Sequence, residues 1–137
     1  MGKNLLGPLG GSQIEQFKEQ GYVVVEDALS PDQLQNLQQT FENWVDESRT
    51  QTESYGQQLD GRPRFSLEPG HCAEKPALRR IASPAELADS CLDVMRNTRA
   101  VDAVAQLIGP NIKFNNDKIN FKPVSYTHLT LPTILRV

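Results

Sequence analysis

Three helix-start signals divide this chain more firmly than anything else in it. Ser12-Gln13-Ile14-Glu15, Ser30-Pro31-Asp32-Gln33 and Ser83-Pro84-Ala85-Glu86 each set a serine three residues ahead of Glu or Gln. In that spacing the hydroxyl and the longer side chain satisfy orphan amide groups at a helix start. The first signal opens a short helix carrying Ile14 and Phe17 on one face, closed by Gly21 in the left-handed position glycine favours. The second, with Pro31 at the first helical position, opens a longer helix. Leu34, Leu37, Phe41, Trp44 and Val45 form its apolar stripe; the helix is expected to reach Glu53 and to pack on a sheet. The third leads into Leu87, Cys91, Val94 and Met95. A fourth helix, over residues 98–108, stacks Val101, Val104, Leu107 and Ile108 before Gly109 stops it.

Extended segments lie between these helices. Residues 22–25 (YVVV) read as a buried strand, and residues 76–81 as a short extended stretch. Residues 54–75 hold three glycines, two prolines and few apolar side chains, the pattern of a long functional loop. Residues 112–122 (IKFNNDKINFK) alternate as a strand does: Lys118, Asn120 and Lys122 share one face, and Ile119 and Phe121 the other. Neither face is cleanly apolar, which suits the wall of a cavity better than a core. The order of elements predicts an α+β domain.

Composition narrows the function. At 137 residues the chain is one domain or part of one, and 38% hydrophobic content is low for it. A formal charge of −3 argues against a nucleic-acid binder. No apolar run approaches the ~20 residues that span a bilayer. Cys72 and Cys91 make no zinc spacing and need not pair, so a cytoplasmic protein is expected. Trp44 and Cys91 read as core residues. Asp46, Glu47 and Glu53 read as a solvated helix face, and His71 and Cys72 as loop residues rather than metal ligands.

Several segments together resemble the phytanoyl-CoA dioxygenase family of Fe(II)- and 2-oxoglutarate-dependent oxygenases. The opening runs from Phe17 through Gly21-Tyr22-Val23-Val24-Val25-Glu26-Asp27-Ala28-Leu29-Ser30 into Gln33-Leu34. Phe65-Ser66-Leu67-Glu68-Pro69-Gly70-His71 and Pro76-Ala77-Leu78-Arg79-Arg80 follow. The series ends with Leu107-Ile108-Gly109-Pro110-Asn111-Ile112 and Asp117-Lys118-Ile119-Asn120-Phe121-Lys122-Pro123. The resemblance implies the N-terminal helices and first strands of a double-stranded β-helix, a jelly roll, that is incomplete here. It implies an iron site of two histidines and a carboxylate, with open positions for 2-oxoglutarate and oxygen. It further implies that Lys118 and Asn120 face 2-oxoglutarate, and that Arg79 or Arg80 holds a carboxylate of cosubstrate or substrate. The loop at residues 54–75 would cover the substrate, a small aliphatic or acyl molecule that the parent enzyme hydroxylates.

The family's His-x-Asp motif is absent: Ala73 stands two residues after His71, and Thr130 two after His128. Residues 124–137 (VSYTHLTLPTILRV) also change character, with Arg136 the single formal charge, and resemble translated adaptor sequence. The expected organisation is therefore a flexible N-terminus at residues 1–11, an oxygenase-like portion at 12–123 and a non-native tail at 124–137. Such a fragment is expected to bind neither iron nor 2-oxoglutarate productively, to be inactive, and to self-associate through an open strand edge. The competing expectation is a small non-catalytic α+β module that binds an anionic ligand or a protein partner.

Overall fold

A computed structural model describes residues 7–122; the expected tail at 124–137 lies outside the described residues. Four helices precede and interrupt a small sheet: α1 (Gly11–Gln20), α2 (Pro31–Ser48), α3 (Asp89–Val94) and α4 (Arg99–Ile108). The strands are β1 (Tyr55–Gln57), β2 (Pro63–Leu67), β3 (Leu78–Ala82) and β4 (Lys118–Asn120), antiparallel in the order β1-β2-β3-β4. The architecture is α+β. No helix among the described residues is long and apolar enough to cross a membrane.

The core lies between α2 and one face of the sheet. Trp44, Phe65, Leu78, Ile81 and Cys91 are buried together, with Leu37, Phe41, Ile119 and Phe121 packed around them. Five rings run through this interface. Phe121 meets Phe41 edge-on at 6.3 Å, Phe41 stacks with Trp44 at 6.1 Å, and Trp44 meets Phe65 edge-on at 6.2 Å. Phe65 then stacks on Tyr55 at 4.6 Å, across the β1–β2 pair. These spacings are the favourable ones for aromatic pairs, so the run fixes how the helix crosses the strands.

Ser30 caps α2 as the sequence predicts. Its Oγ accepts from the Gln33 N–H at 3.1 Å, and Gln33 Oε1 accepts from the Ser30 N–H at 3.0 Å. The same Gln33 donates through Nε2 to Asp93 Oδ2 and to the Asn97 carbonyl, both at 2.9 Å, joining the start of α2 to the end of α3. Hydrogen bonds from the side chains of Asn97 and then Gln33 hold the Asp93 carboxyl below the usual carboxylate range. Gly21 closes α1 with φ 82°, and Thr98 caps α4 by accepting from the Val101 N–H at 3.3 Å.

Elsewhere the structure departs from the sequence reading. The cap of α1 is Gly10, not Ser12: Gln13 Oε1 reaches back to the Gly10 N–H at 3.0 Å, and glycine needs no side chain to receive it. Leu9, expected in a flexible N-terminus, is buried, and both its N–H and its carbonyl bond the Gln106 side chain. Residues 22–25 form no strand. Tyr22 and Val24 are exposed, because β propensity supplies an extended backbone but a ladder needs a neighbour, and no described strand pairs there. Helix α2 ends at Ser48 rather than near Glu53, and Leu34 of its expected apolar stripe is exposed.

The expected loop at residues 54–75 contains β1 and β2, which are short, and the charged Arg64 of β2 hid the alternation. Ser83 caps nothing: it sits at φ 51° with no side-chain bond, and Pro84–Glu86 form a single 3-10 turn. Asp117, from the far side of α4, does that work by accepting from the Ala85 N–H through Oδ2 at 2.8 Å. Helix α3 starts only at Asp89, so Leu87 is exposed while Cys91 is buried as expected. The buried face of α4 is Ala100 and Ala103 rather than the larger residues, and Ile108 is exposed. The strand expected over 112–122 shrinks to Lys118–Asn120.

Candidate functional site

Register decides which side chains share the second face of the sheet. Phe65, Ile81 and Ile119 lie opposite one another on the covered face. One residue away, Ser66, Arg80 and Asn120 form a parallel row across β2, β3 and β4. Successive side chains of a strand point to opposite sides, so this row faces away from α2. Lys118, directly across from Ala82, extends it toward one end of β4. At the other end the Phe121 N–H donates to the Arg79 carbonyl at 2.9 Å, so the ladder continues toward Lys122.

A register shift between Ser66 and Leu67 pairs Ser66 with Arg80 but Leu67 with Leu78, leaving Arg79 as the extra residue. Such a bulge bends the strand and re-aims a side chain. Strict alternation would send Arg79 and Arg80 to opposite faces. Instead Arg79 lines a shallow hollow of about 220 Å³ with Glu68, Asn120, Phe121 and Lys122. Arg80 stands beside that hollow, across the ladder from Asn120. The bulge thus brings both arginines to the side of Asn120.

Arg79, Arg80, Lys118 and Lys122 form no ion pair among the described residues, while the fifth cation of the sheet, Arg64, does. Arg64 donates to Glu86 at 3.1 Å and to the Ala82 carbonyl at 3.1 Å, which makes it part of the frame. Four uncommitted cations on one small sheet contrast with the acidic balance of the whole chain. The arrangement is suited to holding carboxylates or other oxyanions by charge-assisted hydrogen bonds.

The sequence reading brought forward Lys118, Asn120, Arg79 and Arg80. The structure sets Arg79 and Asn120 in the hollow, Arg80 opposite Asn120, and Lys118 exposed at the far end of the row. Lys122 and Glu68 were not brought forward. The spacing of residues 118, 120 and 122 was the available signal for Lys122, whereas Glu68 enters only through the bulged β2–β3 pair.

Among the described residues no three His, Cys, Asp or Glu side chains are grouped to hold a metal ion. His71 is committed elsewhere. Its Nδ1 accepts from the Ala77 N–H at 2.8 Å, which leaves Nε2 to donate to the Ser48 and Gln51 carbonyls at 2.8 and 3.1 Å. Iron therefore does not fit the described residues. Tyr55 is no acid–base candidate either: its hydroxyl is enclosed without a hydrogen-bond partner among the described residues. Burial first, and then the charge of Glu47, push its pKa well above the ordinary phenol value.

No family model matches the chain, and no solved structure matches it. It is similar to a protein of Stutzerimonas stutzeri described as a probable alpha-ketoglutarate-dependent hypophosphite dioxygenase. The two are 25% identical over 113 residues, which are 82% of this chain and 37% of that protein. The similarity ties the chain distantly to a dioxygenase dependent on 2-oxoglutarate (alpha-ketoglutarate), and nothing in it singles out the phytanoyl-CoA family. The chain spans little more than a third of the length of that relative.

Proposed function

We propose that residues 12–122 are the cosubstrate-side portion of an Fe(II)- and 2-oxoglutarate-dependent oxygenase. On this reading α2 and α3 cover the outside of the first strands of a jelly roll, and the row Ser66, Arg80 and Asn120 faces its interior. The observation that carries the reading is that row: polar and cationic side chains on one face of a sheet whose other face is packed with aromatic rings. The distant dioxygenase relative supports the same assignment.

In this assignment the Arg80 guanidinium and the Lys118 ammonium hold carboxylate oxygens of 2-oxoglutarate, and Asn120 orients the cosubstrate by donating an amide hydrogen. Bound in a complete oxygenase, iron and 2-oxoglutarate supply the oxidising chemistry that hydroxylates a small substrate. Those parts of the chain that we describe fix the cosubstrate and supply no iron ligand. The parent's substrate, a small aliphatic or acyl molecule, belongs to the proposal alone. So does the expectation that this chain turns nothing over.

Calorimetric titration of 2-oxoglutarate into the chain tests the assignment. Weak binding is expected, and Arg80→Gln or Lys118→Gln should each weaken it about tenfold, the worth of one charge-assisted hydrogen bond. Binding that is absent, or unchanged in both variants, overturns the cosubstrate reading. With Fe(II), 2-oxoglutarate and ascorbate the chain should release no succinate. Catalytic succinate release would reveal an iron site that the described residues do not provide.

A further inference from the structure

The hollow at the bulged end of β3 adjoins the Ser66–Arg80–Asn120 row and shares Asn120 with it, but its cations are different ones. Two cations that no acid pairs among the described residues, Arg79 and Lys122, line it together with Asn120. Phe121 also lines it, with its ring packed on Phe41 toward the covered side. Glu68 is the single carboxylate. Lys118 lies four residues from Lys122, roughly 13 Å along an extended strand, and is not part of the hollow. One small ligand at the Lys118 end therefore leaves the Arg79 end free.

The bulge is what makes this second grouping. Without the extra residue Arg79 would alternate away from Asn120 and Lys122. The bulge turns Leu78 into the core alongside Ile81, three residues away, and leaves Arg79 exposed. Arg79 so placed lines the same space of about 220 Å³ as Asn120 and Lys122. That space admits a carboxylate or phosphate with a small body attached.

We infer that the Arg79–Asn120–Lys122 hollow is an oxyanion-binding subsite that adjoins the one assigned to 2-oxoglutarate and shares Asn120 with it. Its ligand is a small molecule bearing a carboxylate or phosphate group, held by two cations and one amide. Glu68 sets the affinity: its charge opposes the anion and keeps the subsite weak. The inference rests on the geometry of this chain and stands whether or not the oxygenase reading does.

The test uses the full chain and follows backbone amide shifts as inorganic phosphate, and separately acetate, is titrated at constant ionic strength. Saturable shifts of Arg79, Asn120 and Phe121 with phosphate assign the subsite to phosphate esters; the same shifts with acetate alone assign it to carboxylates. Arg79→Gln and Lys122→Gln should each weaken binding about tenfold, whereas Lys118→Gln should leave it within about twofold. Glu68→Gln should tighten it several-fold, because removing a like charge within a few ångströms favours the anion. No saturable shift with either anion overturns the inference, as does binding that survives Arg79→Gln and Lys122→Gln together. Weakening by Glu68→Gln would also overturn it, since the ligand would then be drawn by its positive charge. Equal loss in Lys118→Gln would merge this subsite with the first. Failure of 2-oxoglutarate binding in the earlier titration leaves the phosphate result unaffected, so the two readings fall separately.

Discussion

Ile81 and Arg80 are neighbours in β3, yet they answer to different demands. Ile81 is fully buried among Trp44, Phe65, Leu78 and Cys91, where its contacts hold helix to sheet. Arg80 stands in a row with Ser66 and Asn120 that buries no comparable apolar surface. A two-layer domain of this size gains stability from one sheet face and leaves the other to solvent or to function. Here the open face is polar and carries four cations that form no ion pair among the described residues, in a chain of net charge −3. Packing explains the first face. It does not explain the second, which is the face we propose to bind a ligand.

The largest expected effect tests that division directly. Ile81→Ala removes the centre of a small core, and such truncations cost about 2–5 kcal/mol. Against a typical domain stability of about 5–15 kcal/mol, the variant should lose its cooperative urea transition or keep a much earlier one. Ile81→Val, a smaller cut at the same site, should cost about 1 kcal/mol. Arg80→Gln, one residue away, should move the midpoint by no more than about 0.5 kcal/mol. Comparable destabilisation by Ile81→Ala and Arg80→Gln would erase the contrast between the faces and return Arg80 to the frame.

The next effect concerns a residue read from the sequence as part of a loop and found to be mechanical in the structure. His71 bonds the Ala77 N–H ahead of β3 and the Ser48 and Gln51 carbonyls at the end of α2. It ties the loop after β2 to the helix that covers the sheet. His71→Ala strands one donor and two acceptors in a half-buried place, which should cost about 1–2 kcal/mol, tempered by water entering the gap. The Ala77 amide should exchange faster with solvent, and hydrogen exchange reads both effects. An unchanged melt with unchanged Ala77 protection would release His71 from this role.

How legible the molecule is in its sequence follows from the range of the forces at each point. The cap of α2 and the glycine that ends α1 were legible, because Ser30, Gln33 and Gly21 act within a few residues. The Trp44 and Cys91 positions followed from helical spacing. The cap supplied by Asp117 was not legible, since it acts on Ala85 across 32 residues. The β1–β2 hairpin was missed because its strands are short and Arg64 interrupts the apolar pattern of β2. The bulge at Arg79 was missed because nothing in Leu78-Arg79-Arg80-Ile81 announces an extra residue; only the register against β2 does. Lys118, Asn120, Arg79 and Arg80 were brought forward through a family resemblance, and local pattern alone would have left them a solvated strand face.

The smallest effect separates the two cysteines by the same contrast. Cys72 is exposed in the loop after β2, while Cys91 is buried in the core on the covered side. Burial, chiefly, pushes the Cys91 thiol above its ordinary value; a hydrogen bond with Ser90 opposes this, and the charge of Asp117 adds to it. The folded chain therefore holds the Cys91 proton more tightly than the unfolded chain does. Its contribution is complete below the ordinary thiol range, about pH 8.5, and is lost as pH rises through and above that range. Tyr55 shifts in the same direction and adds a similar loss at higher pH. Native iodoacetamide labelling near pH 8 should add one group per chain, at Cys72, and urea should expose the second. Cys91→Ala should flatten the first part of the alkaline decline in urea midpoint and leave the later part, carried by Tyr55, in place. Equal native labelling of both cysteines would mean that the covered face opens readily, and the contrast with Arg80 would then be one of degree.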